Sequence, residues 1–295
     1  MPFRLENVSY RYSDGTLALD NVSTNLVKGE RMALLGPNGS GKTTLLLHLN
    51  GILRPTSGRV YFEDSPLEYT SESLLRLRRR VGYVFQDPND QLFAPTVKQD
   101  VAFGPLNLGL PADKVKESVR EALEVVGMSE YADKPPHFLS LGQKKRVALA
   151  GVLAMQPEVL VMDEPTSNLD PRAAIRILRL LLQLNQKFGL TLILATHDVD
   201  MIPLFANRLC ILSKGKIVLD GLPEEIFSQT ELIRSFDLRS PRIAHLFEIL
   251  RREIGHPTDE QLPLTIGEAR KEILRLLNSR NIIELNEQKG KANHT

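Results

Sequence analysis

The sequence predicts an α/β fold built on a mainly parallel sheet, and three observations predict it. Short apolar runs alternate with amphipathic helical stretches along most of the chain. One such run, Arg31-Met32-Ala33-Leu34-Leu35, leads directly into a glycine-rich loop and then a helix. Four runs end in residues suited to chemistry: the glycine loop itself, Gln86, Asp163-Glu164 and His197. Ligands of open parallel sheets bind at the carboxyl ends of the strands, so these residues are expected to meet there.

Phe3 to Tyr12 alternates as a strand, with Phe3, Leu5 and Val8 set against Arg4, Glu6 and Asn7. Ser13-Asp14-Gly15 is a turn of the kind that closes hairpins, and Leu17 to Val27 continues as β structure up to Lys28-Gly29-Glu30. Tyr12, at its strand end, reads either as a half-buried strand residue or as a flat ring able to stack on an adenine.

Gly36-Pro37-Asn38-Gly39-Ser40-Gly41-Lys42-Thr43 matches G-x-x-x-x-G-K-[ST] at every fixed position. Glycines let several backbone N–H groups converge on one anion, and a helix start adds unpaired N–H groups and a positive dipole end. Lys42 is placed to reach β- and γ-phosphates, and the Thr43 hydroxyl to ligand Mg²⁺. The helix from Thr44 to Leu49 stops near Gly51. This stretch implies binding of a nucleoside triphosphate.

Arg54 to Gly58 is a turn and Arg59 to Phe62 a short strand. Ser73 to Arg80 is a basic helix whose Arg76, Arg78, Arg79 and Arg80 read as a solvated face ahead of a nucleic-acid surface. The strand Val81 to Phe85 delivers Gln86 into the loop Asp87 to Phe93, which is rich in breakers. Thr96 to Tyr131 has helical spacing, with interruptions expected at Gly104-Pro105 and Gly109-Leu110-Pro111. Ser140-Leu141-Gly142-Gln143 opens a helix continuing through Lys144, Lys145 and Arg146. Val159 to Met162 is a strand, and Pro171 to Phe188 a helix with proline in its first turn. The Leu190 to Ala195 strand runs into Thr196-His197-Asp198, and Arg208 to Leu212 pairs with Lys216 to Leu219. Pro241 to Ile254 reads as an amphipathic helix carrying Ile243, Leu246, Phe247, Ile249 and Leu250. Thr265-Ile266-Gly267-Glu268 is a capping box opening a second helix through Leu277, and Asn286 to Thr295 is expected to be disordered.

With 295 residues the chain has room for one large domain and a smaller one. A formal net charge of +1 gives no reason to expect nucleic acid as partner. Cys210 is the single cysteine, which rules out an intrachain disulfide and suits a reducing compartment. Met1 to Glu6 lacks the basic and apolar regions of a secretory signal, and the apolar runs are too short to span a membrane. The histidines show no metal-ligand spacing.

In their order, these motifs resemble the ATP-hydrolysing subunits of ABC transporters over roughly Phe3 to Phe236. Leu139 to Gln143 is similar to the signature sequence of that family, Val159 to Glu164 to its Walker B strand, and Ser167-Asn168-Leu169-Asp170 to its D-loop. The resemblance implies a P-loop ABC ATPase: a parallel sheet core, an antiparallel β subdomain and a helical signature subdomain over 1–237. A small helical region follows over 238–295. It implies that ATP is held by Tyr12, the glycine loop from Gly36 to Thr43, and Thr44. Mg²⁺ is then held by Thr43, Gln86 and Asp163, and hydrolysis is served by Glu164, His197 and Gln86.

Each role has a physical reason. A carboxylate at a buried strand end suits Mg²⁺, and Glu164 beside it is able to deprotonate the attacking water. His197 is able to donate to the γ-phosphate. Ser140, Gly142 and Gln143 are implied to contact ATP on another chain's glycine loop, giving a head-to-tail dimer of identical or paralogous chains. Leu141 stands where the family's signature has glycine. If that position needs positive φ, leucine costs roughly 1–2 kcal/mol there.

Gln86 to Phe93, Asp100 to Pro105 and Gln143 to Met155 further resemble the ATPases of energy-coupling factor importers. These take up vitamins, cobalt or nickel through a substrate-binding membrane subunit and an integral membrane coupling (T-type) protein. In them the ATPase works at the cytoplasmic face of the membrane and grips the coupling protein beside Gln86. Pro88, Leu92 and Phe93 suit such a groove, though ordinary loop packing explains them equally well. Leu262 to Thr265 and the helix after it favour the cobalt/nickel branch over the vitamin branch. Soluble ABC ATPases of translation or DNA repair and a slow regulatory ATPase are the competing readings.

Overall fold

The computed structural model describes residues 2–253 and 261–277. The segment Asn286 to Thr295, for which disorder is expected, and Ile254, the expected helix end, lie outside the described residues. In chain order the first half comprises β1 (Phe3–Arg11), β2 (Leu17–Leu26), β3 (Arg31–Leu35), α1 (Lys42–Leu49), β4 (Ser57–Phe62), β5 (Ser65–Pro66), α2 (Ser71–Arg80), β6 (Val81–Val84), α3 (Val97–Asn107) and α4 (Ala112–Val125). Then come α5 (Leu141–Leu153), β7 (Val159–Asp163), α6 (Pro171–Phe188), β8 (Thr191–Thr196), α7 (Ile202–Phe205), β9 (Arg208–Ser213), β10 (Lys216–Gly221), α8 (Pro223–Ser228), α9 (Thr230–Ser235) and α10 (Arg242–Glu253). A further helix, α11, spans 266–277.

The chain divides into two compact units, one of residues 1–198 with 205–221 and one of 199–204 with 222–295. In the first, six strands form a sheet in the order β10-β9-β3-β8-β7-β6, parallel apart from β10. β7 and β8 are buried along their whole length, as strands covered on both faces must be. A second, antiparallel sheet has the order β2-β1-β4-β5. Its apolar face, with Phe3, Leu5, Val8 and Leu19, shares one core with Leu45, Leu46 and Leu49 of α1 and Leu34, Val161 and Ile193 of the parallel sheet. α3, α4 and α5 pack on one another as the helical subdomain.

Leu5 and Val8 are three residues apart, an odd spacing that a regular strand would place on opposite faces. Both are buried because a bulge falls between them, with Asn7 at φ 48 and Asn21 on the paired strand at φ 54. α6 begins and ends where its sequence signals lie. Asp170 caps Ala173 N, Pro171 is the first helical residue, and Gly189 turns the chain at φ 64. The interruption expected at Gly104-Pro105 does not occur: α3 runs through both to Asn107. Gly104 faces Met155, just past the end of α5, where a Cβ would come within 2.8 Å of the sulfur, so the glycine serves a close approach to that side chain and does not break the helix.

In the second unit, Ile226, Phe227, Ile233, Ala244, Phe247, Leu262 and Leu264 are buried. The buried face of α10 is Ala244, Phe247 and Arg251, whereas Leu246 and Ile249, expected on the apolar face, are exposed. Arg251 reaches Gln261 O at 3.1 Å and Glu272 at 3.7 Å, so a buried cation occupies a place where spacing suggests an apolar side chain. The Thr265–Glu268 capping box forms as expected, with Glu268 N donating to Thr265 Oγ1 at 3.2 Å and Thr265 N to Glu268 Oε2 at 3.3 Å. The short helices α7, α8 and α9 carry no signal strong enough to be expected from sequence. Among the described residues no helix is long and apolar enough to cross a membrane.

Candidate active site

The strand order places β3, β8, β7 and β6 side by side. Their carboxyl ends carry the glycine loop, His197, Asp163-Glu164 and Gln86 in that sequence across the sheet. All four features predicted to converge do so.

The glycine loop turns through Gly39 at φ 76 and Gly41 at φ 104 before α1 begins. A Cβ on Gly36 would lie closer than 3.0 Å to the Leu212 carbonyl oxygen and to Ser40 Oγ, so the loop sits flush on β9. Lys42 is buried, and its Nζ donates to Gly36 O at 2.7 Å and Pro37 O at 3.1 Å. Burial holds its pKa below the usual lysine range, against the attraction of Glu164 and Asp163. Ser40 Oγ is buried without a protein partner, a hydroxyl left free in a cradle built for an anion.

Thr43 Oγ1 donates to Asp163 Oδ2 at 2.6 Å. Burial pushes the Asp163 carboxyl above its ordinary value, while the Thr43 hydrogen bond pulls it back. A hydroxyl and a carboxylate side by side are hard oxygen ligands of the kind Mg²⁺ takes beside substrate phosphates. Among the described residues no cluster of three or more His, Cys, Asp or Glu forms a self-sufficient metal cage. The Thr43–Asp163 pair fits a Mg²⁺ that would take its remaining ligands from phosphate and water.

Glu164 holds the centre. Its Oε1 lies 2.8 Å from His197 Nδ1, and its Oε2 accepts from Gln86 Nε2 at 3.1 Å. Its backbone is left-handed, φ 45, which is costly for a residue with a Cβ. Hydrogen bonds offset that cost: Glu164 N donates to Ala195 O at 3.0 Å, and Glu164 O accepts from Ser167 N and Ser167 Oγ. Lys145 Nζ also donates to Glu164 O, at 2.9 Å.

Tyr12 is part exposed, with its hydroxyl 2.9 Å from Thr44 Oγ1 and its ring edge-on to Tyr10. It thus stands against the glycine-loop helix and leaves ring surface free. Ser140, Gly142 and Gln143 are not brought to the glycine loop of their own chain. Ser140 Oγ accepts from Gln143 N at 3.4 Å and Gln143 Oε1 accepts from Ser140 N at 2.8 Å, a complete capping box at the start of α5. Leu141 is the first residue of α5 and is not among the residues with positive φ, so the leucine carries no left-handed strain.

Lys145 is not expected at the site from the sequence, where it is one of three consecutive basic residues in this helix. Its spacing from Ala148, Leu149 and Val152 puts it on the buried face of α5, and that was the available signal. In the loop after Gln86, Pro88 is buried and Leu92 half-buried, while Phe93 is 66 % exposed and stacks edge-on against Phe103.

A glycine loop on a parallel sheet, with a Thr–Asp pair and a buried-end glutamate beside it, defines a P-loop nucleoside triphosphatase. A family model described as ABC transporter matches residues 19–167. A putative ABC transporter ATP-binding protein of Methanothermobacter marburgensis is 56% identical over 267 residues, covering 90% of this chain and 96% of that one. The energy-coupling factor transporter ATP-binding protein EcfA of Methanocaldococcus jannaschii is 53% identical over 272 residues, covering 92% and 96%. Among solved structures, cbiO1 from Clostridium perfringens, part of the ABC transporter complex cbiONQ, aligns with a TM-score of 0.73 at 46% identity, over 84% of this chain and 98% of that one. A dimeric ATP-binding cassette in a post-hydrolysis state with ADP and Pi aligns at 0.68 and 30% identity, over 75% and 98%. The chain belongs to the ABC transporter family, as an ATPase of the energy-coupling factor type.

Proposed function

We propose that this chain energises uptake of cobalt or nickel ions through membrane partners, by ATP hydrolysis at the site around Glu164. The observation that carries the chemistry is the Glu164 carboxylate held between His197 and Gln86, one residue beyond the Thr43–Asp163 pair. The likeness to cbiO1 supports the metal branch.

The glycine loop and Lys42 bind the triphosphate, Lys42 exchanging its two loop carbonyls for phosphate oxygens. Tyr12 stacks on the adenine, and Thr44 anchors its hydroxyl. Thr43, Asp163 and Gln86 hold Mg²⁺, which when bound neutralises charge on the phosphates. Glu164 orients the attacking water and takes its proton, a role worth about 10²–10⁴-fold in rate. His197 donates to the γ-phosphate. Ser140, Gly142 and Gln143 lie apart from their own loop, which suits action on the ATP of a second chain in a head-to-tail dimer. The exposed Phe93, in the loop that follows Gln86, with Phe103 and Leu106 of α3, offers apolar surface for an integral membrane coupling protein, and in this reading the chain works peripherally at the cytoplasmic face. The ATP-binding domain is taken as 1–237, with 238–295 as a helical appendage.

The test is purification of the tagged chain from its own cells in mild detergent, with partners identified by mass spectrometry and metal uptake followed in cells. Co-purification of a transmembrane coupling protein with a metal-binding membrane subunit, and loss of uptake in Glu164→Gln, is the expected result. A vitamin-binding subunit in its place overturns the metal assignment alone. Ribosomal or repair proteins without a membrane subunit overturn the transport reading.

A further inference from the structure

Lys145 is the fifth residue of α5 and is 5 % exposed, yet no step above uses it. Its ammonium has three N–H donors and finds three oxygens: Glu164 O at 2.9 Å, Ser167 O at 3.0 Å and Ser167 Oγ at 3.0 Å. Ser167 Oγ in turn donates a hydrogen bond to Glu164 O at 2.9 Å, closing a small ring of bonds over the turn 164–167. That turn contains the left-handed Glu164, whose conformation aims its carboxylate at His197 and Gln86. α5 is also tied to the loop after Gln86, through Lys144 Nζ on Asn89 Oδ1 and Gln91 Nε2 on Ala148 O, each at 2.8 Å.

We infer that Lys145 is a positioning residue for hydrolysis: it clamps the backbone turn that holds the Glu164 carboxylate and links that turn rigidly to α5. A buried lysine is a costly way to fill space, and apolar neighbours Ala148, Leu149 and Val152 show what ordinary packing on this face looks like. The complete match of three donors to three backbone and hydroxyl acceptors is what distinguishes this cation from a packing residue. Burial pulls the ammonium pKa down, while Glu164, Asp87 and Asp163 act to keep it charged. Because Lys145 ties α5 to the turn 164–167, and α5 is capped by Ser140 and bonded to the loop after Gln86, a shift of this helix moves Glu164 with it. The inference rests on the assignment of Glu164 as the base.

The test uses the purified full-length chain and the variants Lys145→Met, Ser167→Ala and Glu164→Gln, with each of the first two also combined with Glu164→Gln. Methionine keeps the stem and removes the donors. Lys145→Met should lower kcat by between about ten- and a hundredfold, the scale set by a misplaced reacting group. KM and the equilibrium affinity for ATP should stay within about threefold, since the nucleotide cradle is untouched. Ser167→Ala should give a smaller kcat loss of the same kind. In the Glu164→Gln background either change should alter residual turnover by less than about twofold, because a clamp has nothing left to aim. Equal fold-losses with and without Glu164→Gln, or wild-type kcat in Lys145→Met, overturn the inference. Should Lys145→Met fail to fold, the Ser167→Ala cycle decides by the same criterion. Wild-type turnover in Glu164→Gln alone overturns the base assignment and the inference with it.

Discussion

Gly39 and Gly41 lie two residues apart in one loop, and alanine at each should fail differently. Gly41 adopts φ 104, and a Cβ there would lie closer than 3.0 Å to the Ala18 carbonyl oxygen, 3.1 Å from Leu19 Cδ2 and 3.3 Å from Leu212 Cδ2. The left-handed backbone costs an L-residue roughly 1–2 kcal/mol. Forcing a methyl group into a packed site costs about 1–3 kcal/mol more. The obstacle is backbone of β2, which has little freedom to yield, so Gly41→Ala should lose about 2–5 kcal/mol of folding stability. That is a large share of the 5–15 kcal/mol or so typical of a domain. Gly39 adopts φ 76, but its Cβ would meet nothing within 4 Å. Gly39→Ala should therefore lose only about 1–2 kcal/mol of stability. Gly39 still belongs to the loop proposed to hold the phosphates, so a strained backbone there should lower ATP affinity by more than about tenfold, roughly the equivalent of 1.4 kcal/mol. Urea denaturation and equilibrium binding of a fluorescent ATP analogue measure the two quantities separately. Equal stability losses in the two variants, or wild-type ATP binding by Gly39→Ala, would refute the reasoning.

Ser140 caps α5, and its proposed role across the dimer can be separated from that cap. Ser140→Ala should cost about 1 kcal/mol through the lost cap on α5, whereas Ser140→Asn keeps the cap and should melt like wild type. If the hydroxyl acts across the dimer, both variants lose ATP-driven dimerisation in light scattering; dimerisation by either counts against that role. Asp100 is buried, with Oδ1 accepting from Phe93 N and Ala94 N and Oδ2 without a partner. Asp100→Ala should cost about 1–3 kcal/mol by stranding those two amides, while Asp100→Asn keeps the acceptor. Burial raises the Asp100 pKa above its ordinary 3.8, against the pull of the two amide bonds. The stability it contributes is therefore full below that value and is lost as pH rises through the raised folded value. Asp100→Asn should gain on wild type as pH climbs through this window, and a stability difference independent of pH would disprove the account.

Much of this protein was legible in the sequence because the deciding interactions are local. The glycine loop, the Pro171 start of α6 and the Thr265–Glu268 capping box are patterns closed within a few residues, and each forms as expected. Local patterns misled where packing between distant segments outweighs them. Gly104-Pro105 reads as a break, but the glycine lies against Met155 within a continuous α3; Leu246 and Ile249 read as core, but Arg251 takes the buried place.

The residues proposed for the site, Lys145 apart, and the strands that carry them were therefore legible in the sequence alone. The strand order that sets β3, β8, β7 and β6 side by side was decided only in the tertiary structure, because pairing between distant strands depends on collective burial that no short window encodes. The same holds for the left-handed turn at Glu164 and for Lys145, which clamps it from 19 residues away. An unfavourable backbone and a buried cation persist only where surrounding contacts, distant in the chain, offset their cost.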